Sequence, residues 1–122
     1  MYLLDTHILL WWLMSPQKLT KQEYEIIENE KHTIYVSVAT LWEIAIKVSL
    51  KKLKIPVSFR EELEKLSFKI LPIDIETAWL TKDLSFHHHD PFDRLIISTA
   101  KSSQLTLITH EKIFQKYDIK TV

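Results

Sequence analysis

The chain contains no glycine and no cysteine. Without glycine there is no glycine-rich phosphate loop and no dinucleotide fingerprint, because both need backbone that a Cβ would block. Turns are left to Pro, Asn, Asp and Ser. Without cysteine there is no disulfide framework and no thiolate metal site. Charge of one sign is also lacking: 16 basic and 16 acidic residues leave a formal net charge of zero. That balance argues against a strongly basic nucleic-acid module held by long-range attraction. It still allows an enzyme with a local basic patch beside an acidic site. No apolar run approaches the ~20 residues of a membrane span. The stretch from Ile8 to Met14 is too short, and no basic leader precedes it. No signal peptide is expected, and the cytoplasm is the expected compartment.

What is present is enough for one core. A chain of 122 residues, 46% hydrophobic and 26% charged, suits a single domain spanning residues 1–122. Met1 to Leu4 is a short apolar run stopped by Asp5-Thr6-His7, which reads as a buried strand with Asp5 at its carboxyl end. A helix follows from Thr6 to Leu13 and stops at Ser15-Pro16. Thr20 and Glu23 form a capping box for a polar surface helix reaching about Glu30. Thr33 to Val38 alternates and is β-branched, so it is a second strand. Ser37 to Leu50 is the next helix, closed by Lys51, Lys52 and Lys54. Ser58 caps a helix to Leu66, Phe68 to Pro72 is a third strand, and Asp74 caps a helix from Ile75 to Thr81. Ser85 to His89 is loop. Asp90-Pro91 starts a helix to about Ser102. Gln104 to Thr109 is a fourth strand, Glu111 to Tyr117 a short helix, and Ile119 to Val122 an edge strand. Strands alternating with helices predict an α/β fold, a three-layer α/β/α sandwich with a central, mostly parallel sheet.

Four acids fall on one edge of such a sheet. Asp5 ends strand one, and Glu111 lies two residues past strand four. Glu43 is in the second turn of the helix leaving strand two. Asp93 is in the first turn of the helix that feeds strand four, and it shares a stripe with Ile96, Ile97 and Ala100. The carboxyl edge is where open parallel sheets bind ligands. Each acid also has a plainer role: Asp5 as a helix cap, Asp93 at a helix dipole, Glu43 paired with Lys47, Glu111 as surface. Carboxylates this close repel and take up protons unless a cation joins them. Oxygen donors favour Mg²⁺ or Mn²⁺, and such a site suits phosphodiester hydrolysis.

Four stretches stand out: Leu4-Asp5-Thr6-His7 with Leu10-Trp11, then Ser37 to Lys47 with Leu41-Trp42-Glu43-Ile44, then Asp90-Pro91-Phe92-Asp93-Arg94-Leu95-Ile96, and Leu107-Ile108-Thr109 with Phe114 and Tyr117. In these the chain resembles the PIN-domain family, and within it the VapC-type toxins of bacterial toxin–antitoxin pairs. These stretches span the chain in one order. The resemblance implies a metal-dependent endoribonuclease with Asp5, Glu43 and Asp93 as its acid core and metal ligands. It adds Thr6 and Thr109 as hydroxyls lining the site. The fourth catalytic acid, usually Asp, is here Glu111, longer by one methylene. It further implies an RNA substrate, inhibition by a cognate antitoxin and a homodimer. The Trp-rich N-terminal helix is expected to wall the antitoxin's groove.

Other residues have two readings each. Arg94 either grips a phosphate bidentately or pairs with Asp90. Lys47, Lys51 and Lys54 form either an RNA-backbone stripe or a solvated helix face. His87-His88-His89 are adjacent, which does not suit the spaced ligands of zinc, so they are read as a solvated loop. His110 is read as a surface histidine. Trp11, Trp12, Trp42 and Trp79 are expected in the core, and an exposed one would mark a partner groove. Two rival functions remain: a receiver-like phospho-acceptor domain, and a PIN module that binds without cutting.

Overall fold

The computed structural model describes residues Met1–Val122. Four short strands form one sheet: β1 (Tyr2–Leu4), β2 (Ile34–Ser37), β3 (Lys69–Leu71) and β4 (Thr106–Ile108). Their order is β3-β2-β1-β4, and every pairing is parallel. Parallel neighbours need crossovers, and helices supply them: α1 (Thr6–Met14), α2 (Lys21–Glu28), α3 (Val38–Ser49), α4 (Phe59–Lys65), α5 (Ile75–Leu80) and α6 (Pro91–Ser102).

Side-chain alternation in β1 sorts the core into two layers. Leu4 faces one way, into a cluster with Ile8, Leu9, Ile34, Val36, Ile44 and Phe59. Leu3 faces the other, among Ile96, Ile97, Ala100, Leu107 and Phe114. Both leucines are fully buried, so each contributes about 2 kcal/mol by burial and both faces are covered. This is the α/β/α sandwich that the alternation predicts.

Local chemistry sets the helix ends. Ser37 caps α3 by accepting from the Ala39 N–H at 3.0 Å. The capping box of α2 is complete, with Thr20 and Glu23 each accepting the other's N–H. Asp90 caps α6 through the Asp93 N–H, and Pro91 takes the first helical position. Ser58 departs from expectation: it lies in the helical region and its hydroxyl caps nothing. The terminal edge strand also shrinks. It is one parallel bridge, Leu107 to Thr121, tied by hydrogen bonds between β4 and residues 120–122. The last helix is a tight 3₁₀ turn, Lys112–Lys116.

The missing glycines leave a mark. Two helices end in the six-residue closure that normally places glycine in the left-handed region. In α3 that residue is Lys51, with φ 58°, and the Lys52 N–H reaches back to the Lys47 carbonyl at 2.9 Å. In α6 it is Gln104, with φ 53°, and the Leu105 N–H reaches the Ala100 carbonyl at 2.9 Å. The expectation that Pro, Asn, Asp and Ser carry all such turns is therefore corrected. Each of these two residues bears a strain of roughly 1 kcal/mol that a glycine would avoid.

Two tryptophans also differ from expectation. Trp42 is 56% exposed and Trp79 69% exposed. Trp12 packs on Tyr24 and Phe68, and Trp11 on His7 and His110.

Candidate active site

The carboxyl edge of the sheet gathers the acids because three chain segments leave it there. Asp5 directly follows β1 and is 1% exposed. Its Oδ1 accepts the Thr6 N–H at 2.7 Å, so it does cap α1. Its Oδ2 accepts from the Thr109 hydroxyl at 2.8 Å. The cap uses one oxygen, and the second is aimed at the residue after β4. Thr109 in turn accepts the Glu111 N–H at 3.0 Å, which sets the backbone from which Glu111 projects.

Glu43 reaches the same edge from the second turn of α3 and is buried. The Thr6 hydroxyl donates to its Oε1 at 2.7 Å, and Lys47 pairs with its Oε2 at 3.0 Å. The i,i+4 pair expected as the plain reading of Glu43 is formed. That bond to Glu43 raises the Lys47 ammonium above the ordinary lysine range. Thr40 adds a third hydroxyl, 3.3 Å from that of Thr6.

Asp93 and Glu111 complete the group from the other side, where a histidine joins them. His88 Nε2 lies 2.8 Å from Asp93 Oδ2 and 3.5 Å from Glu111 Oε2. His7 Nδ1 stands 3.9 Å from Glu111 Oε1. Ligand-type atoms of Asp5, His7 and Glu111 fall within 4.8 Å of one another, and so do those of His88, Asp93 and Glu111. Glu111 belongs to both sets. Glu43 belongs to neither: its oxygens are taken by Thr6 and Lys47.

The charges are not balanced. Burial pushes the Asp93 carboxyl up to about 8, with the charges of Asp5, Glu111, Asp90 and Glu43 adding to it. Burial also raises Asp5, against the hydrogen bond from Thr109 and with the push of Glu111. Excess negative charge among oxygen donors is what a hard divalent cation relieves. The residues therefore fit such an ion, with Asp5, Asp93 and Glu111 as the carboxylates that would hold it in two sets sharing Glu111.

Arg94 corrects both of its expectations. It does not pair with Asp90 and it is not free for a phosphate. Its guanidinium is buried and donates to four backbone carbonyls: Ser85 and His88 from one nitrogen, Thr81 and Leu84 from the other, at 2.8–3.1 Å. It braces the loop that carries His88. The solvated-loop reading of the three histidines is likewise corrected for one of them. His87 packs against Tyr117 and His89 stacks on Phe86, while His88 turns into the acids. No zinc set forms from the three. His110 stays exposed as expected, yet it pairs with the buried Glu23 at 2.7 Å. Tyr117, named in the resemblance but given no role there, has a hydroxyl that accepts the His88 N–H at 2.8 Å and donates to the Ser85 carbonyl at 2.7 Å.

A parallel sheet with acids gathered at its carboxyl edge, threaded by hydroxyls, defines an α/β protein with an acidic site. A family model for the PIN domain matches residues 2–120. The chain belongs to the PIN-domain family. Among curated proteins it is similar to Ribonuclease VapC22 of Mycobacterium tuberculosis, at 24% identity over 113 residues, which is 90% of this chain and 86% of that protein. Among solved structures it resembles a chain of VapBC2 from Rickettsia felis bound to a promoter DNA fragment. There the TM-score is 0.77 at 20% identity, covering 99% of this chain and 96% of that one. FitAcB from Neisseria gonorrhoeae gives a TM-score of 0.71 at 22% identity, covering 99% and 96%. These structural likenesses establish the fold.

Proposed function

We propose that this chain is a metal-dependent endoribonuclease toxin that hydrolyses RNA phosphodiester bonds and is neutralised by a cognate antitoxin. The observation that carries the reading is Glu111, shared by two ligand-type groups, one with Asp5 and His7 and one with Asp93 and His88, on an edge where the neighbouring charges help push Asp93 up to about 8. Mg²⁺ or Mn²⁺, when bound, supplies a polarised water and charge relief at a phosphate. The chain's own part is to hold that geometry. Thr109 orients Asp5 and the Glu111 backbone. Thr6 and Lys47 fix Glu43 as a charged wall that adds to the field on Asp93. The ribonuclease name of the curated relative supports RNA as substrate.

The partner reading rests on a separate surface. Solved structures of this fold include a toxin–antitoxin complex from Klebsiella pneumoniae. An apolar groove of about 700 Å³ runs between α3 and α4, lined by Leu41, Ile44, Phe59, Leu63 and Phe68. It suits the apolar face of an antitoxin segment. The proposed groove lies between α3 and α4, whereas the sequence-based expectation places it along the Trp-rich α1. The exposed Val38, Trp42, Ile75 and Trp79 suit a second copy of the chain. No helix is long and apolar enough to cross a membrane, and we place its action in the cytoplasm.

The test is RNA cleavage by the purified protein. Cleavage is expected with Mg²⁺ or Mn²⁺ and not in excess chelator. Asp5→Asn is expected to lose more than the ~100-fold that a merely supporting contact is worth. Full cleavage in chelator would overturn the reading. A folded protein that binds RNA and never cuts it would instead be the binding module.

A further inference from the structure

His88 is a group at this edge to which the acid set gives no role. Its surroundings are specific. The backbone N–H donates to Tyr117, the carbonyl accepts from Arg94, and the ring packs 5.7 Å from Phe114. The side chain is 19% exposed, and its Nε2 meets a carboxylate oxygen of Asp93 at 2.8 Å. The other ring nitrogen is also engaged: the Asp90 N–H points at Nδ1 from 3.2 Å.

That last contact decides the tautomer. A nitrogen facing an N–H must be an acceptor, so Nδ1 carries no proton. The ring's proton then sits on Nε2, directed at Asp93 with Glu111 3.5 Å away. To ligate an ion through Nε2, the ring would have to move its proton to Nδ1 and set it against the Asp90 N–H. Asp90 is itself held as the cap of α6, with its carboxylate on the Asp93 N–H at 3.0 Å. A residue that caps the helix thus also orients the histidine.

We infer that His88 is a positioning residue. Its Nε2–H holds Asp93 and steers Glu111 so that the two carboxylates present oxygens to one divalent cation, without His88 ligating it. The inference rests on the metal-dependent reading above and names a residue that reading leaves without a role. Glu111, longer than Asp by one methylene, has an extra torsion to be restrained, and His88 is the group placed to restrain it.

The experiment is Mn²⁺ binding to the intact protein, by calorimetry and by electron paramagnetic resonance, with no RNA present. His88→Ala is expected to weaken Mn²⁺ binding by about 10–100-fold while the thermal midpoint without metal stays near the parent's. His88→Gln keeps an N–H donor and is expected to recover most of the affinity. Nitrogen coupling from His7, which also stands at Glu111, is expected to be the same in the parent and in His88→Gln. Affinity unchanged in His88→Ala would overturn the positioning role and leave the metal-dependent reading standing. Nitrogen coupling in the parent that His88→Gln loses, with Ala and Gln equally weak, would make His88 a ligand and overturn it differently. If the parent binds no Mn²⁺, both readings fall together. Should His88→Ala unfold, Tyr117→Phe tests the same support by removing the hydroxyl that holds the His88 backbone, and unchanged Mn²⁺ affinity there would count against it.

Discussion

The two halves of the acidic edge are built on different plans. On the α1–α3 side, Asp5 and Glu43 are buried and closed by near neighbours: the Thr6 N–H, the Thr6 and Thr109 hydroxyls and the Lys47 ammonium. On the α6 side, Asp93 and Glu111 are more exposed and meet imidazoles, His88 and His7, carried by a loop and a helix start. The first half is satisfied by hydroxyls and an ammonium carried on α1, on α3 and at the end of β4. The second half depends on a loop, and that loop depends on Arg94 and Tyr117. The first half is consequently a rigid wall, and the second is where the site's order can be gained or lost.

The strongest way to break this contrast is to remove the brace. Arg94→Met deletes a buried cation and leaves four carbonyls without donors. A loss of about 3–4 kcal/mol in urea unfolding is expected. The Asp5–Thr109 and Glu43–Lys47 pairs should survive while His88 leaves Asp93, visible by NMR of the side chains. A loss below about 1 kcal/mol would mean that the loop is held by something else.

A second change sharpens the electrostatic difference. The Asp93 carboxyl rises to about 8 in the fold, from near 4 in the unfolded chain. Between those values the folded state keeps a proton that the unfolded state has released. Stability of the metal-free protein therefore falls as pH rises from about 4 to about 8, and levels off above that. Asp5 is shifted in the same direction. Asp93→Asn should flatten much of this slope and gain about 2 kcal/mol at pH 8 in chelator, after allowing for relaxation around the charge. Urea midpoints across that pH range check it. An unchanged slope would mean that Asp93 carries little of the strain.

The smallest effect is expected on the closed half. Thr6→Val removes one hydroxyl donor from Glu43 and leaves Lys47 in place. Stability should drop by about 1 kcal/mol, with the loop side undisturbed. A drop comparable to that of Arg94→Met would erase the distinction between the halves.

The same contrast explains what was legible in the sequence. Asp5 after an apolar run, the Thr20–Glu23 box and Asp90-Pro91 are signals complete within a few residues, and each element they predict is present. The parallel sheet follows from strands alternating with helices. His88 was opaque, because its partner Tyr117 lies 29 residues further along the chain and only the fold brings them together. Arg94 was opaque for a related reason: carbonyl acceptors carry no sequence signature. Lys51 and Gln104 could not be foreseen as left-handed residues, since their side chains have no preference for that region and only the helix closure demands it. Trp42 and Trp79 were placed inside by residue type, and α3 and α5 turn them outward.

The hydrogen bond from Thr109 to Asp5 spans 104 residues of sequence. A chain leaves the ribosome from its amino end, so Asp5 emerges long before its partner exists. β1 also waits for β4, made late, to close its second side. Until residues 106–117 have been made, Asp5 lacks its hydroxyl, Glu111 is absent and His88 lacks the Tyr117 anchor. The growing polypeptide thus carries its first acid in an unassembled form throughout translation. A site built this way is delayed by its own topology until almost the entire fold has been synthesised.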